Sequence, residues 1–154
     1  MSTATLLSRQ GRHLLQLGVA LLLFTAFQGF AIPYFAVPML GLSVHKLSAL
    51  EAVLLLPMGI LWSHLRLGGT SARAACWLLA YSALAIIAAY MMAAMWGAGD
   101  SVIRLAAHTG HGSTVQEAAI DIVAYSSAPT GIIAFAIILW GLRAGAATAD
   151  EGAA

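Results

Sequence analysis

The chain has 154 residues, 61% of them hydrophobic and 8% charged, with a formal net charge of +1. An ordinary soluble domain carries roughly 25% charged residues, so this chain has too little polar surface to face water on all sides, and a near-neutral charge leaves no footprint for nucleic acid. The surplus of apolar side chains points to a lipid bilayer as the solvent.

A helix that crosses the hydrocarbon needs about 20 mostly apolar residues, and four stretches reach that length, 14–35, 44–65, 72–97 and 114–142. Unbroken apolar runs such as Val19 to Phe24 lack the alternation of a barrel strand. Only helices and closed barrels satisfy every backbone group in lipid. The expectation is an all-α protein, an integral membrane four-helix bundle forming one domain over 1–143. The Ala/Gly-rich segment 144–154 is expected to be a disordered cytoplasmic tail. The first span is too long, and too poor in cleavage signals, to be a removed leader.

The first span is expected to end near Pro33 and Pro38, which lack amide donors and disfavour helix before them. Ser43 is the candidate N-cap of the second span, and Thr70 or Ser71 that of the third, after a tight turn from Leu67 to Arg73. Cys76, the lone cysteine, cannot form an intrachain bridge and reads as a packed thiol. Connection 98–112 is the longest; with Gly99, Asp100, Arg104, His108, Gly110 and His111 it reads as a lid. Pro57 and Pro129 lie inside spans, where they can kink a helix. There is no internal repeat, which argues against a transporter of inverted halves. Arg9, Arg12, Arg66, Arg73 and Arg143 fall on one side and Lys46 and Arg104 on the other. Both termini are therefore expected in the cytoplasm, in a bacterial-type inner membrane.

Ionisable groups at membrane depth are costly and are functional candidates by default. At 1.5 Å per residue, Glu51 lies roughly 9 Å below the outer mouth, and Gln28, Tyr90 and Asp121 roughly 10 Å. One polar residue from each helix thus reaches the same level. This suggests a pocket in the outer half of the bundle, the alternative being that the four bond one another to hold the helices together. Glu51 and Asp121 have no Lys or Arg at their level, so one keeps its proton or a cation or cofactor supplies the balance. Glu117, Asp121 and Tyr125 recur every four residues, as on a helix lining a cavity or a proton path, although Glu117 could simply answer the helix dipole. His45, at the mouth, is either a hydrogen-bonded histidine or an axial ligand for a haem iron. No Cys-x-x-Cys-His is present, which excludes covalent c-type attachment. His108 and His111 are too sparse for a zinc site.

Three stretches carry a family likeness: Gly11-Arg-His-Leu-Leu-Gln-Leu-Gly18, Phe35-Ala-Val-Pro-Met-Leu-Gly-Leu-Ser-Val-His45, and Met95-Trp-Gly-Ala-Gly99 followed by Ala106-Ala-His-Thr-Gly-His-Gly-Ser-Thr-Val-Gln-Glu-Ala118. Over about residues 9 to 143 the chain resembles the hydroxylaminobenzene mutase family, itself related to styrene oxide isomerase. The resemblance implies a four-helix membrane enzyme, a homotrimer holding b-type haem with ferric iron between subunits. It implies His45 as the iron ligand and Tyr90 beside a small aromatic substrate. The expected reaction is conversion of hydroxylaminoarenes to aminophenols by Lewis-acid activation of the substrate oxygen, with Glu51 and Asp121 as further catalytic groups and Gln28, Glu117 and Tyr125 lining the pocket. Epoxide-to-carbonyl isomerisation, and non-catalytic binding of haem or a small molecule, are the alternatives. The chain departs from its apparent relatives at Glu51, where the family has asparagine, and at Val37, where mutase-like sequences often have one.

Overall fold

The computed structural model describes residues 3–103 and 111–143. The expectations placed on Arg104, His108, Gly110 and the 144–154 tail lie outside the described residues. Four long helices make up the fold: α1 (Thr3–Ala31), α2 (Pro38–Leu61), α3 (Gly69–Trp96) and α4 (Thr114–Arg143). All four are long and apolar enough to cross a membrane, and no strand occurs among the described residues. The protein is a multi-pass, all-helical membrane protein. Helix α1 packs chiefly on α2 and α3 on α4, and the two hairpins meet mainly across α2 and α3.

With lipid as solvent, helices associate by close van der Waals packing rather than by exclusion of apolar surface from water. The α1/α2 crossing is built on small residues for this reason. A Cβ placed on Gly11 would stand 2.6 Å from the Gly59 carbonyl oxygen, and one on Gly59 would stand 2.8 Å from that of Gly11. One heptad along, a Cβ on Gly18 would lie 3.2 Å from the Ala52 carbonyl oxygen. Trp62, wholly buried, closes this end by donating its indole N–H to Gln10 Oε1 at 3.1 Å.

The helix starts differ from those read in the sequence. Helix α2 begins at Pro38 rather than at 44, because proline is well suited to the first turn of a helix, where no amide partner is needed. Ser43 is therefore inside the helix, and its hydroxyl bonds the Met39 carbonyl at 3.1 Å. Val37, N-terminal to α2, instead donates its own N–H to Ala94 of α3 at 3.1 Å. Helix α3 starts at Gly69 after Gly68, ahead of Thr70 and Ser71. It ends at Gly97, whose φ of +65° is the left-handed conformation that lets the chain turn back. Helix α4 opens with a capping box: Gln116 N–H donates to Ser113 Oγ at 3.4 Å, and Ser113 N–H to Gln116 Oε1 at 2.8 Å.

Candidate functional site

The earlier start of α2 moves two candidates inward. His45 is seven residues from Pro38, about 10 Å below the loop end, and Glu51 is thirteen residues from it, about 20 Å down. His45, not Glu51, therefore shares a level with Gln28, Tyr90 and Asp121. Glu51 lies near mid-membrane.

The α1/α2 interface carries a polar cluster at the His45 level. Thr25 and Ser48 are buried with their hydroxyl oxygens 2.8 Å apart, each also within reach of a helical carbonyl one turn back, so one proton bridges the pair and the other goes to a carbonyl. Gln28, 4% exposed, donates Nε2 to the Gly41 carbonyl at 2.8 Å. Its Oε1 is buried without a partner among the described residues, and so is His45 Nδ1. The Cε1–Nδ1 edge of the imidazole lies beside Gly29, where a Cβ would meet Cε1 at 3.2 Å and Nδ1 at 3.4 Å. Sequence reading missed Thr25, Ser48 and Gly29, since a hydroxyl or glycine in a span has no signal apart from its partner.

Glu51 occupies a cleft of about 240 Å³ lined by Leu50, Leu54, Leu79, Ser82, Ala83 and Phe135, from α2, α3 and α4. Its carboxyl makes no hydrogen bond to a described residue. Ser82 lies at the same depth, fourteen residues before Trp96, and donates to the Ser127 carbonyl at 2.8 Å. Tyr81 meets the Ser126 hydroxyl at 2.7 Å, which extends this α3/α4 polar seam. Tyr90 is half-buried against the core, its hydroxyl likewise without a partner among the described residues.

A third group sits at the loop end. Glu117 accepts the Gly99 N–H at 2.9 Å through Oε2 and the Gly112 N–H at 3.0 Å through Oε1, so one carboxylate holds both ends of the long connection. Asp121 accepts the Ser101 hydroxyl at 2.6 Å, and Asp100 pairs with the exposed His111 at 2.8 Å. Tyr125 is 66% exposed on the outside of α4. The pocket expected from the sequence is thus spread over three places: Gln28 with His45, Glu51 in its own cleft, and Glu117 with Asp121 at the connection. A larger cavity, about 330 Å³ between α1 and α3, is lined by Gln10, His13, Cys76 and Trp77 and lies away from all three. Among the described residues no group of three or more His, Cys, Asp or Glu side chains assembles.

The profile of the family described as styrene oxide isomerase matches residues 10–143, nearly the whole chain. The chain belongs to the styrene oxide isomerase family. Among its relatives are two proteins of Ectopseudomonas oleovorans. The one named hydroxylaminobenzene mutase HabB is 36% identical over 92% of this chain and 87% of its own length. The one named hydroxylaminobenzene mutase HabA is 28% identical over 84% of this chain and 96% of its own. No solved structure matches. As a member of the styrene oxide isomerase family with mutase relatives, the chain is an isomerase.

His45 is the histidine of this polar cluster, and its Nδ1 is buried beside Gly29 of α1 without a partner among the described residues.

Proposed function

We propose that this isomerase converts hydroxylaminoarenes to aminophenols within the bilayer. The observation that carries the reading is the 36% identity, over 92% of the chain, to a protein named hydroxylaminobenzene mutase. His45 would hold ferric b-type haem through Nε2, between subunits of a homotrimer. Bound there, the haem would supply a Lewis acid for the substrate oxygen.

The rest of the chemistry falls to the chain. In a hydroxylaminoarene the N–O bond breaks, oxygen bonds the ortho carbon, that carbon loses its proton, and nitrogen gains one. No oxidant or reductant is consumed. Tyr90, whose hydroxyl has no internal partner, orients the migrating oxygen. Glu51 either stabilises the positive charge that develops on the ring or takes the ortho proton. The apolar walls of its cleft exclude water, which would trap a cationic ring. Asp121, bonded to Ser101, acts nearer the entrance.

The charge pattern supports an orientation with both termini in the cytoplasm. Arg9, Arg12, Arg66, Arg73 and Arg143 lie at the end where α1 starts and α4 finishes, and Lys46 lies toward the other. A bacterial-type inner membrane is the setting we infer. The family match favours a second reading, isomerisation of an epoxide to a carbonyl compound, because the same activation opens a C–O bond.

The test is anaerobic incubation of the purified, haem-supplied protein with hydroxylaminobenzene and, separately, styrene oxide, with products identified. An aminophenol from the first is the expected result, and an aldehyde from the second alone would favour the second reading. A bound haem with neither substrate converted would count against both substrates and favour a binding role. A His45→Ala protein that kept the full Soret band would remove the ligand assignment.

A further inference from the structure

Two buried polar atoms on facing stretches of α1 and α2 lack partners among the described residues, and each is what the other needs. Leaving a buried donor or acceptor unpaired costs about 1–3 kcal/mol, more than a bilayer protein leaves unmet without reason. Gln28 Oε1 is one of them, and it can only accept. His45 Nδ1 is the other; it donates when the ring proton sits on Nδ1 and accepts when it sits on Nε2.

Their placement follows from the bond that is made. Gln28 Nε2 donates to the carbonyl of Gly41, four residues before His45 and about 6 Å up the helix axis. That carbonyl is the one on which the His45 backbone N–H closes its helical turn, so the Gln28 amide reaches the turn from which the His45 side chain starts. The neighbouring residue, Gly29, has no side chain, and a Cβ there would press on the ring at 3.2 Å. The missing side chain at Gly29 lets the Cε1–Nδ1 edge of the imidazole approach α1 next to Gln28.

We propose that Gln28 is a positioning residue that fixes the tautomer of His45. Its Oε1 is the acceptor for the Nδ1 proton, which leaves the Nε2 lone pair free. The nearby hydroxyls do not serve: Ser48 and Thr25 spend their protons on each other and on the Val44, His45 and Leu21 carbonyls, and neither lies within hydrogen-bond reach of Nδ1. The consequence for the proposed haem rests on the reading of His45 as its ligand. An Nδ1–H that is hydrogen-bonded makes imidazole a stronger donor, which favours ferric iron and lowers the midpoint potential.

The experiment has two arms, so that failure of the haem reading and failure of this one are distinguishable. In the first, full-length protein with ¹⁵N-labelled histidine, reconstituted in lipid without haem, is compared with the Gln28→Leu variant, and the His45 signals are identified by their loss in His45→Ala. The expected result is a single Nδ1–H tautomer in the parent and a shift toward Nε2–H in Gln28→Leu. An Nε2–H ring in the parent, or an unchanged tautomer in Gln28→Leu, overturns the proposal, whatever binds at Nε2. In the second arm the haem-loaded proteins are titrated electrochemically. Gln28→Leu is expected to raise the midpoint potential and Gln28→Glu, which restores a stronger acceptor, to lower it. Shifts of the same sign in both variants overturn the assignment, since general damage to the fold would move them together.

Discussion

Replacing Glu117 by alanine should loosen both ends of the long connection at once. The carboxylate accepts Gly99 N–H at 2.9 Å and Gly112 N–H at 3.0 Å. Hydrogen bonds to a charged group contribute about 1.5–3 kcal/mol each, so the pair would supply about 3–6 kcal/mol if fully buried. The site is only part-buried, and water can replace each acceptor once the side chain is gone. Halving the sum for that screening gives a loss of about 1.5–3 kcal/mol, to which the helix dipole adds a few tenths. For a chain of this size the loss corresponds to a fall in melting temperature of roughly 3–12 °C. Glu117→Gln keeps one acceptor but turns an NH₂ toward the second amide, and should show at least half of the effect. Thermal unfolding in one fixed detergent, with amide exchange at Gly99 and Gly112, measures both. The reasoning is refuted if Glu117→Ala melts within about 0.5 kcal/mol of the parent and the two amides exchange no faster. Turnover adds a separate result: a loss far beyond the fraction unfolded would give Glu117 the pocket role its place on the α4 stripe suggests.

Gly59→Val puts a branched side chain where a Cβ already stands 2.8 Å from the Gly11 carbonyl oxygen, and should cost about 1–3 kcal/mol by overpacking, read as a lower SDS concentration for unfolding. Trp62→Phe removes the donor to Gln10 with most of the ring retained; a loss of about 0.5–1.5 kcal/mol is expected, with Gln10→Leu giving less than an additive further loss in the double variant. His111→Ala should leave stability within about 0.5 kcal/mol, because its partner Asp100 is met by a ring that is 88% exposed; a larger fall would mean that the ion pair holds the connection in place.

The number of spans was legible from composition and backbone physics, since an apolar surplus this large and the cost of unpaired amides in lipid leave few other arrangements. The start of α2 was not. Reading Pro33 and Pro38 as one break put the helix six residues late, whereas Pro38 occupies the first turn, where it is at home. That shift placed Glu51 at the level of Gln28, although His45 belongs there. Carboxylates stood out in the sequence because charge in a span is conspicuous, but what holds them did not. Gly99, Ser101 and Gly112 meet Glu117 and Asp121 only once α3 and α4 are packed side by side. The capping box from Ser113 to Gln116, which the sequence reading passed over, accounts for the start of α4 without help from Glu117.

His45 and Glu51 face different ways, and this bears on how one small substrate could use both. Six residues on an α-helix turn through about 600°, which leaves the two side chains about 120° apart and about 9 Å apart along the axis. His45 lies against Gly29 of α1, and Glu51 opens into the cleft with Ser82 and Phe135 of α3 and α4. A mechanism that engages both therefore favours pockets completed by a second copy, in keeping with the proposed homotrimer, over a pocket within one chain. Coexpressing His45→Ala with Glu51→Gln in equal amounts tests this. In a randomly mixed ring whose pockets each take His45 from one copy and Glu51 from its neighbour, about a quarter of pockets regain both groups. Activity should return to about a quarter of the parent value although each variant alone is inactive. No recovery would place both groups in one chain's site, and an active single variant would show that the reaction uses only the other residue.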